Sequence, residues 1–159
     1  MIRIGIDPGL DGAIGAINSQ GTPIVFDMPT RKITVSGAKK REIDGYGLAD
    51  IIKTLVDAGG MGKGTWITVE QVQSMRAQGV TSSFNFGQSF AACKYTLEAL
   101  GLKYGLVRPQ AWKKKYGLIG KDKGASVLLA VEMFPTLWEK LTISKDGRAE
   151  ALLLAAYDA

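Results

Sequence analysis

The order of elements predicts an α/β fold: a five-stranded mixed sheet, three antiparallel strands and then parallel ones, flanked by helices on both faces. Three observations predict it. Ile2, Ile4 and Ile6 alternate at period two and open a run of three short strands parted by turn residues. Residues 65–69 are almost wholly apolar, as befits a central parallel strand covered on both faces. Helical stripes then alternate with strands, which places helices on either side of the sheet.

Each element follows from local chemistry. The first strand, 2–6, runs into Asp7-Pro8-Gly9, a turn in which proline presets φ and glycine accepts a positive one. A second strand spans 12–18, Ser19-Gln20-Gly21 breaks it, and a third spans 22–27. Residues 28–45 are polar and basic, either a ragged loop or a ribbon of extra strands. Leu48, Ile51, Ile52, Leu55 and Val56 recur at helical spacing over 46–58, before the Gly59-Gly60 stop. The strand 65–69 ends at Glu70, and a polar loop over 71–81 holds Arg76 and Gly79. Ser82 or Ser83 can cap the next helix, which runs to about Leu100 with the stripe Phe86, Phe90, Cys93, Leu97 and Leu100. A fifth strand is expected over 102–107. Arg108-Pro109 opens a short helix with Trp112, which reads as core rather than as a base-stacking platform. Further helices are expected from Gly124 or Ala125 to Met133 and over 146–157. No repeat, linker or low-complexity stretch divides residues 1–159, so one domain is expected.

Composition removes whole classes of chemistry. The chain has no histidine, which excludes histidine-based triads, histidine zinc sites and histidine general bases. A single cysteine forbids an internal disulfide and fits a reducing compartment, so a cytoplasmic setting is expected. No apolar run approaches the ~18 residues of a membrane span, and the N-terminus lacks the build of a signal peptide.

Charge is unevenly spread. The net charge is +5, yet residues 103–124 alone carry +6 and residues 31–42 carry +4. The rest of the chain is therefore acidic, at −5. Two basic stretches on an acidic body suit a polyphosphate partner such as nucleic acid; one such stretch alone would read equally as a solvated face.

Sites in α/β sheets form beyond strand ends. Asp7 ends the first strand and Glu70 the fourth, and both strands are central in the predicted topology. An acid there is costly unless paired or ligated. Asp7 also fits a turn cap and Glu70 a solvated loop residue. Asp146 and Glu150 lie four apart on the last helix, on one face. A capping box fails, since its acid belongs three residues after the cap; a plain aspartate cap remains open. Four carboxylates without histidine suit Mg²⁺, or Mn²⁺ in its place. Two such ions about 3.5–4 Å apart can activate water and stabilise the leaving oxygen of a phosphodiester.

Ile4-Gly5-Ile6-Asp7-Pro8-Gly9, Val69-Glu70-Gln71-Val72, Arg108-Pro109-Gln110-Ala111-Trp112-Lys113 and Asp146-Gly147-Arg148-Ala149-Glu150-Ala151-Leu152, in that order, resemble the RuvC-type Holliday junction resolvases. The likeness spans nearly the whole chain and looks closest to the phage-encoded branch, which would place the protein in a host bacterial cytoplasm. The resemblance implies an RNase H-like fold, a homodimer, and Mg²⁺-dependent symmetric nicking of four-way junction DNA that leaves 5′-phosphate and 3′-hydroxyl ends. It implies catalytic, metal-holding roles for Asp7, Glu70 and Glu150. The family's remaining ligand falls at Gly147, and the nearest acid, Asp146, is assigned its catalytic, metal-holding role. An aromatic wedge, where cellular members carry one, falls at Gln73, with Met75 as a substitute. The resemblance also implies DNA contacts from Lys113, Lys114, Lys121, Lys123 and Arg76, one of which could instead stabilise the transition state. The helix of Phe86 and Phe90 resembles the family's dimer helix, and ordinary core packing explains it equally.

Rival readings are an actin-like or Hsp70-like ATPase, an RNase H-like nuclease acting on RNA or other branched DNA, and a non-catalytic junction-binding protein. The ATPase needs two lobes and a second phosphate loop, which do not fit in 159 residues. The presence of all four acids argues against a degenerate site.

Overall fold

The computed structural model of the protein describes residues 1–58, 64–72 and 79–157. Strands β1 (Ile2–Asp7), β2 (Ala13–Ile17) and β3 (Pro23–Asp27) form the antiparallel meander. Strands β4 (Thr30–Val35) and β5 (Ala38–Ile43) pair only with each other. Then come α1 (Gly45–Ala58), β6 (Thr65–Glu70), α2 (Val80–Ala99), β7 (Gly105–Val107), α3 (Pro109–Lys115) and α4 (Lys123–Met133). Two 3₁₀ turns, Pro135–Lys140 and Ile143–Lys145, lead into α5 (Asp146–Ala155). The main sheet runs β3-β2-β1-β6-β7, with β1, β6 and β7 mutually parallel. The predicted mixed sheet is therefore present, with β1 and β6 at its centre.

Helices cover both faces. On one, Leu48, Ile52 and Leu55 of α1 and Cys93 and Leu97 of α2 pack on Ile2, Ile4, Ile6, Ile67 and Val69. On the other, Leu152, Leu153 and Leu154 of α5 pack with Trp112, Val127 and Ala130. Two glycines set how close α5 comes. Gly5 and Gly15 are cross-strand partners on β1 and β2. A Cβ on Gly15 would stand 2.7 Å from backbone atoms of Ala151 and Leu152, and one on Gly5 would strike the backbone of Ala151 and Ala155. The helix thus lies directly on the sheet, with Ala149, Ala151 and Ala155 fully buried.

Residues 28–45 take the ribbon form of the two alternatives. Its two-residue turn, Ser36-Gly37, has positive φ at both positions (50° and 79°), as a type I′ hairpin requires. Three boundaries differ from expectation. Neither Ser82 nor Ser83 caps α2, because Gly79 is the cap and the Ser83 N–H already donates to its carbonyl at 3.0 Å. The fifth strand is only three residues long, since the end of α2 consumes its start: Leu102 N–H donates to Leu97 O at 3.0 Å, and Gly101 turns with φ of 68°. Asp146 is the first residue of α5 rather than its cap, which is Lys145. Gly59-Gly60 lies outside the described residues, and no helix among the described residues is long and apolar enough to cross a membrane.

Candidate active site

Parallel pairing aligns Ile6 with Val69, so Asp7 and Glu70 follow side by side at the carboxyl edge of the sheet. The close seating of α5 brings its first turn to the same place. A Cβ on Gly147 would lie 3.0 Å from Asp7 Oδ2, 2.8 Å from the Asp11 carbonyl and 2.9 Å from Gly12 Cα. No side chain fits there without displacing the β1–β2 turn. The resemblance set a ligand at this position, and here the backbone occupies its space; Asp146 and Glu150 flank it instead. All four acids line one cleft of about 480 Å³ with Lys113 and Lys123.

Electrostatics within the cleft are severe. Burial, then the charges of Glu70 and Glu150, push the Asp7 carboxyl up to about 8, against partial relief from the Gly9 N–H at 3.4 Å. Burial also raises Glu70, opposed by the Trp112 indole, whose Nε1–H donates to Glu70 Oε1 at 2.8 Å. Glu150 is raised by burial and lowered by Lys113, which lies 3.5 Å away. Lys123 pairs with Asp146 at 2.7 Å, and that contact raises the lysine. Behind Asp7, burial and the aspartate charge push the Cys93 thiol up to about 12, so it stays an inert core group.

The donor set suits a hard divalent cation. It offers carboxylate oxygens without histidine or an accessible thiol, and the acids repel one another in the metal-free state. Among the described residues no three acids already stand as a closed ligand group. Asp146 and Glu150 are turned to lysines, and Glu70 to the indole. A bound cation would have to compete with those partners.

Of the expected DNA contacts, Lys114 and Lys121 are exposed on the surface after β7; Lys113 and Lys123 line the cleft against acids, Lys113 half-buried and Lys123 still exposed over 73% of its side chain. Arg76 and the wedge positions Gln73 and Met75 lie outside the described residues. Phe86 lines the cleft and is 38% exposed, while Phe90 packs against the core. Sequence reasoning missed Trp112 as a partner of Glu70, although a buried tryptophan ordinarily needs an acceptor for its N–H. It also missed the clamp behind α5, where Arg148 donates to both oxygens of Asp27 at 2.6 and 2.9 Å and to the Lys140 carbonyl at 2.9 Å.

No protein-family model and no curated protein matches the chain. Solved structures do. The chain is similar to Thermus thermophilus RuvC in complex with a Holliday junction substrate, with a TM-score of 0.59 and 12% identity over 98% of this chain and 90% of that one. It is also similar to a Thermus thermophilus RuvC structure, with a TM-score of 0.50 and 15% identity over 96% and 92% of the two chains. The class defined by the sheet order and its helices is the RNase H-like fold. Within it, the chain has the fold of the RuvC-type resolvases along nearly its whole length.

Proposed function

We propose that the protein is a Mg²⁺-dependent endodeoxyribonuclease that resolves four-way DNA junctions as a homodimer, by paired symmetric nicks leaving 5′-phosphate and 3′-hydroxyl ends. One observation carries this reading: Asp7, Glu70, Asp146 and Glu150, from three distant stretches of chain, meet two lysines in a single cleft. Two Mg²⁺ ions held by these carboxylates would supply activation of the attacking water and neutralisation of the leaving oxygen.

The chain's own residues do the rest. Trp112 fixes the Glu70 carboxylate. The seating of α5 on Gly5 and Gly15 fixes Asp146 and Glu150 relative to Asp7. Lys113 is placed to stabilise charge developing on the phosphoryl oxygens. Lys114, Lys121 and Arg76 hold backbone phosphates as point charges. The α2 surface with Val80 and Phe84 exposed one turn apart is the apolar face that a second copy would cover, while Phe86 lines the cleft and Phe90 mainly serves the core.

The test is cleavage of a mobile four-way junction with Mg²⁺, both nicks being mapped, beside RNA hairpins of matched length. Ligatable nicks at symmetric positions, with RNA left intact, are expected. Asp7→Asn and Glu70→Gln should abolish nicking and leave junction binding equal or stronger, since less acid repels less phosphate. Normal cutting by either variant, or no cutting by the wild type, would refute the reading.

A further inference from the structure

The β4–β5 ribbon stands apart from the main sheet, touches the core through Ile43 at its base, and supplies no residue to the acidic centre. Its register decides what it presents. Residues directly opposite share a face, and Lys32 stands opposite Arg41, with Thr34 opposite Lys39. Thr30 and Ile43, at the base, lie on that same face, and Ile43 is buried in the core. The face bearing Lys32, Lys39 and Arg41 is therefore the one turned toward the body.

Between ribbon and body runs a groove of about 590 Å³, lined by Lys32, Ile33, Thr34, Lys39, Lys40 and Arg41 of the ribbon and by Leu10 and Asn85 of the body; Lys40, opposite Ile33, belongs to the ribbon's other face yet still borders the groove. No acid lines it. Leu10 and Asn85 also line the cleft that holds the four carboxylates, so the two spaces share a wall. Arg41 donates to Asp11 at 2.7 Å, and Asp11 belongs to that cleft too. This contact ties the ribbon to the turn after β1. Lys32, Lys39 and Lys40 make no ion pair among the described residues. Like charges directly across a ladder are unfavourable, and a two-stranded ribbon is marginal by itself. Both features suit a surface that meets a polyanion.

We propose that the β4–β5 ribbon is a DNA-backbone clamp. Phosphates leaving the catalytic cleft past Leu10 and Asn85 are held by Lys32, Lys39 and Lys40, while Arg41, anchored on Asp11, sets the angle of the ribbon. The site takes a nucleic-acid strand as a polyphosphate, without reading bases, on a different element from the cations that follow β7. This inference rests on the nuclease reading above and adds the path of the DNA beyond the acids.

The test uses the full chain with the triple change Lys32→Ala, Lys39→Ala, Lys40→Ala, and a charge-preserving triple to arginine. Junction binding is followed by fluorescence anisotropy across a salt series, and nicking is followed in single turnover at saturating protein. The alanine triple should bind more than tenfold more weakly at ~0.1 M salt, with the slope of log affinity against log salt reduced by about 2–3. Its nicking rate at saturation should stay within a few-fold of wild type, and the arginine triple should bind like wild type. If the wild type cuts junctions and the alanine triple keeps the full salt slope, the clamp is overturned and the nuclease reading stands. If the arginine triple binds as weakly as the alanine triple, a charge clamp is likewise overturned. If the wild type neither binds nor cuts junctions, the underlying reading fails and this one with it.

Discussion

The indole of Trp112, with none of its surface exposed, donates its N–H to Glu70 Oε1 at 2.8 Å. A core residue of α3 thereby holds the acid that ends β6. The contact favours the charged carboxylate and works against its burial. Trp112→Phe keeps a ring in the core but removes the donor and part of the volume. It should cost about 2–4 kcal/mol in chemical denaturation. It should also raise Glu70 further, so that Mn²⁺ binding weakens most toward low pH. A uniform loss across pH would show that the indole acts only through packing.

Gly147 leaves no room for a Cβ beside Asp11, Gly12 and Asp7. Gly147→Ala should therefore lift the start of α5 and cost about 1–3 kcal/mol. The same shift moves Asp146 and Glu150 away from Asp7, so nicking should fall more steeply than stability. An alanine variant with wild-type stability and activity would mean that the turn yields easily and that the glycine is not required.

Metal-free stability should fall as pH rises from about 5 to about 8. Asp7 titrates near 8 in the fold against an ordinary 3.8, so the native state keeps a proton that the unfolded chain has lost. A raised folded value contributes stability that is complete below 3.8 and gone above about 8. Glu70 and Glu150 shift in the same direction. Saturating Mg²⁺ should flatten the decline. Melting curves with chelator and with Mg²⁺ check this, and metal-free stability that rises over the window would contradict it.

Lysines in the cleft and on the surface should behave differently. Lys121→Ala, at an exposed position, should reduce the salt slope of junction binding by about 1 with nicking preserved at saturation. Lys113→Ala, beside Glu150 at 3.5 Å, should lower the single-turnover rate by about 10²-fold or more with a smaller effect on binding. Anisotropy and single-turnover cleavage of the same two variants separate the roles, and matching profiles would erase the distinction.

Much of this was legible in the sequence because local rules and tertiary packing agreed. Period-two isoleucines in β1, the β-branched run of β6 and the stripe of α1 each have one good solution, and together they set the sheet order. The acids at the strand ends could be read because a carboxylate beyond a central strand needs a partner. Other features depended on contacts between distant segments. The loss of residues 102–104 from the fifth strand, begun where the closing of α2 takes the Leu102 N–H, is a competition for N–H groups that periodicity does not register. The intimacy of α5 with the sheet arises from Gly5 and Gly15 facing each other across two strands, which only the register reveals. The lysines after β7 read as one basic run, yet the turn of α3 and the cap of α4 bring Lys113 and the still-exposed Lys123 to the cleft acids and leave Lys114 and Lys121 on the open surface.

The central claim is that the four carboxylates jointly bind divalent cations. Titration calorimetry with Mn²⁺ on the wild type and on Asp7→Asn, Glu70→Gln, Asp146→Asn and Glu150→Gln tests it most directly. Saturable binding by the wild type, weakened at least tenfold in every one of the four variants while each remains folded, is the predicted result. Wild-type protein that takes up no Mn²⁺, or variants that bind it as the wild type does, would contradict the claim.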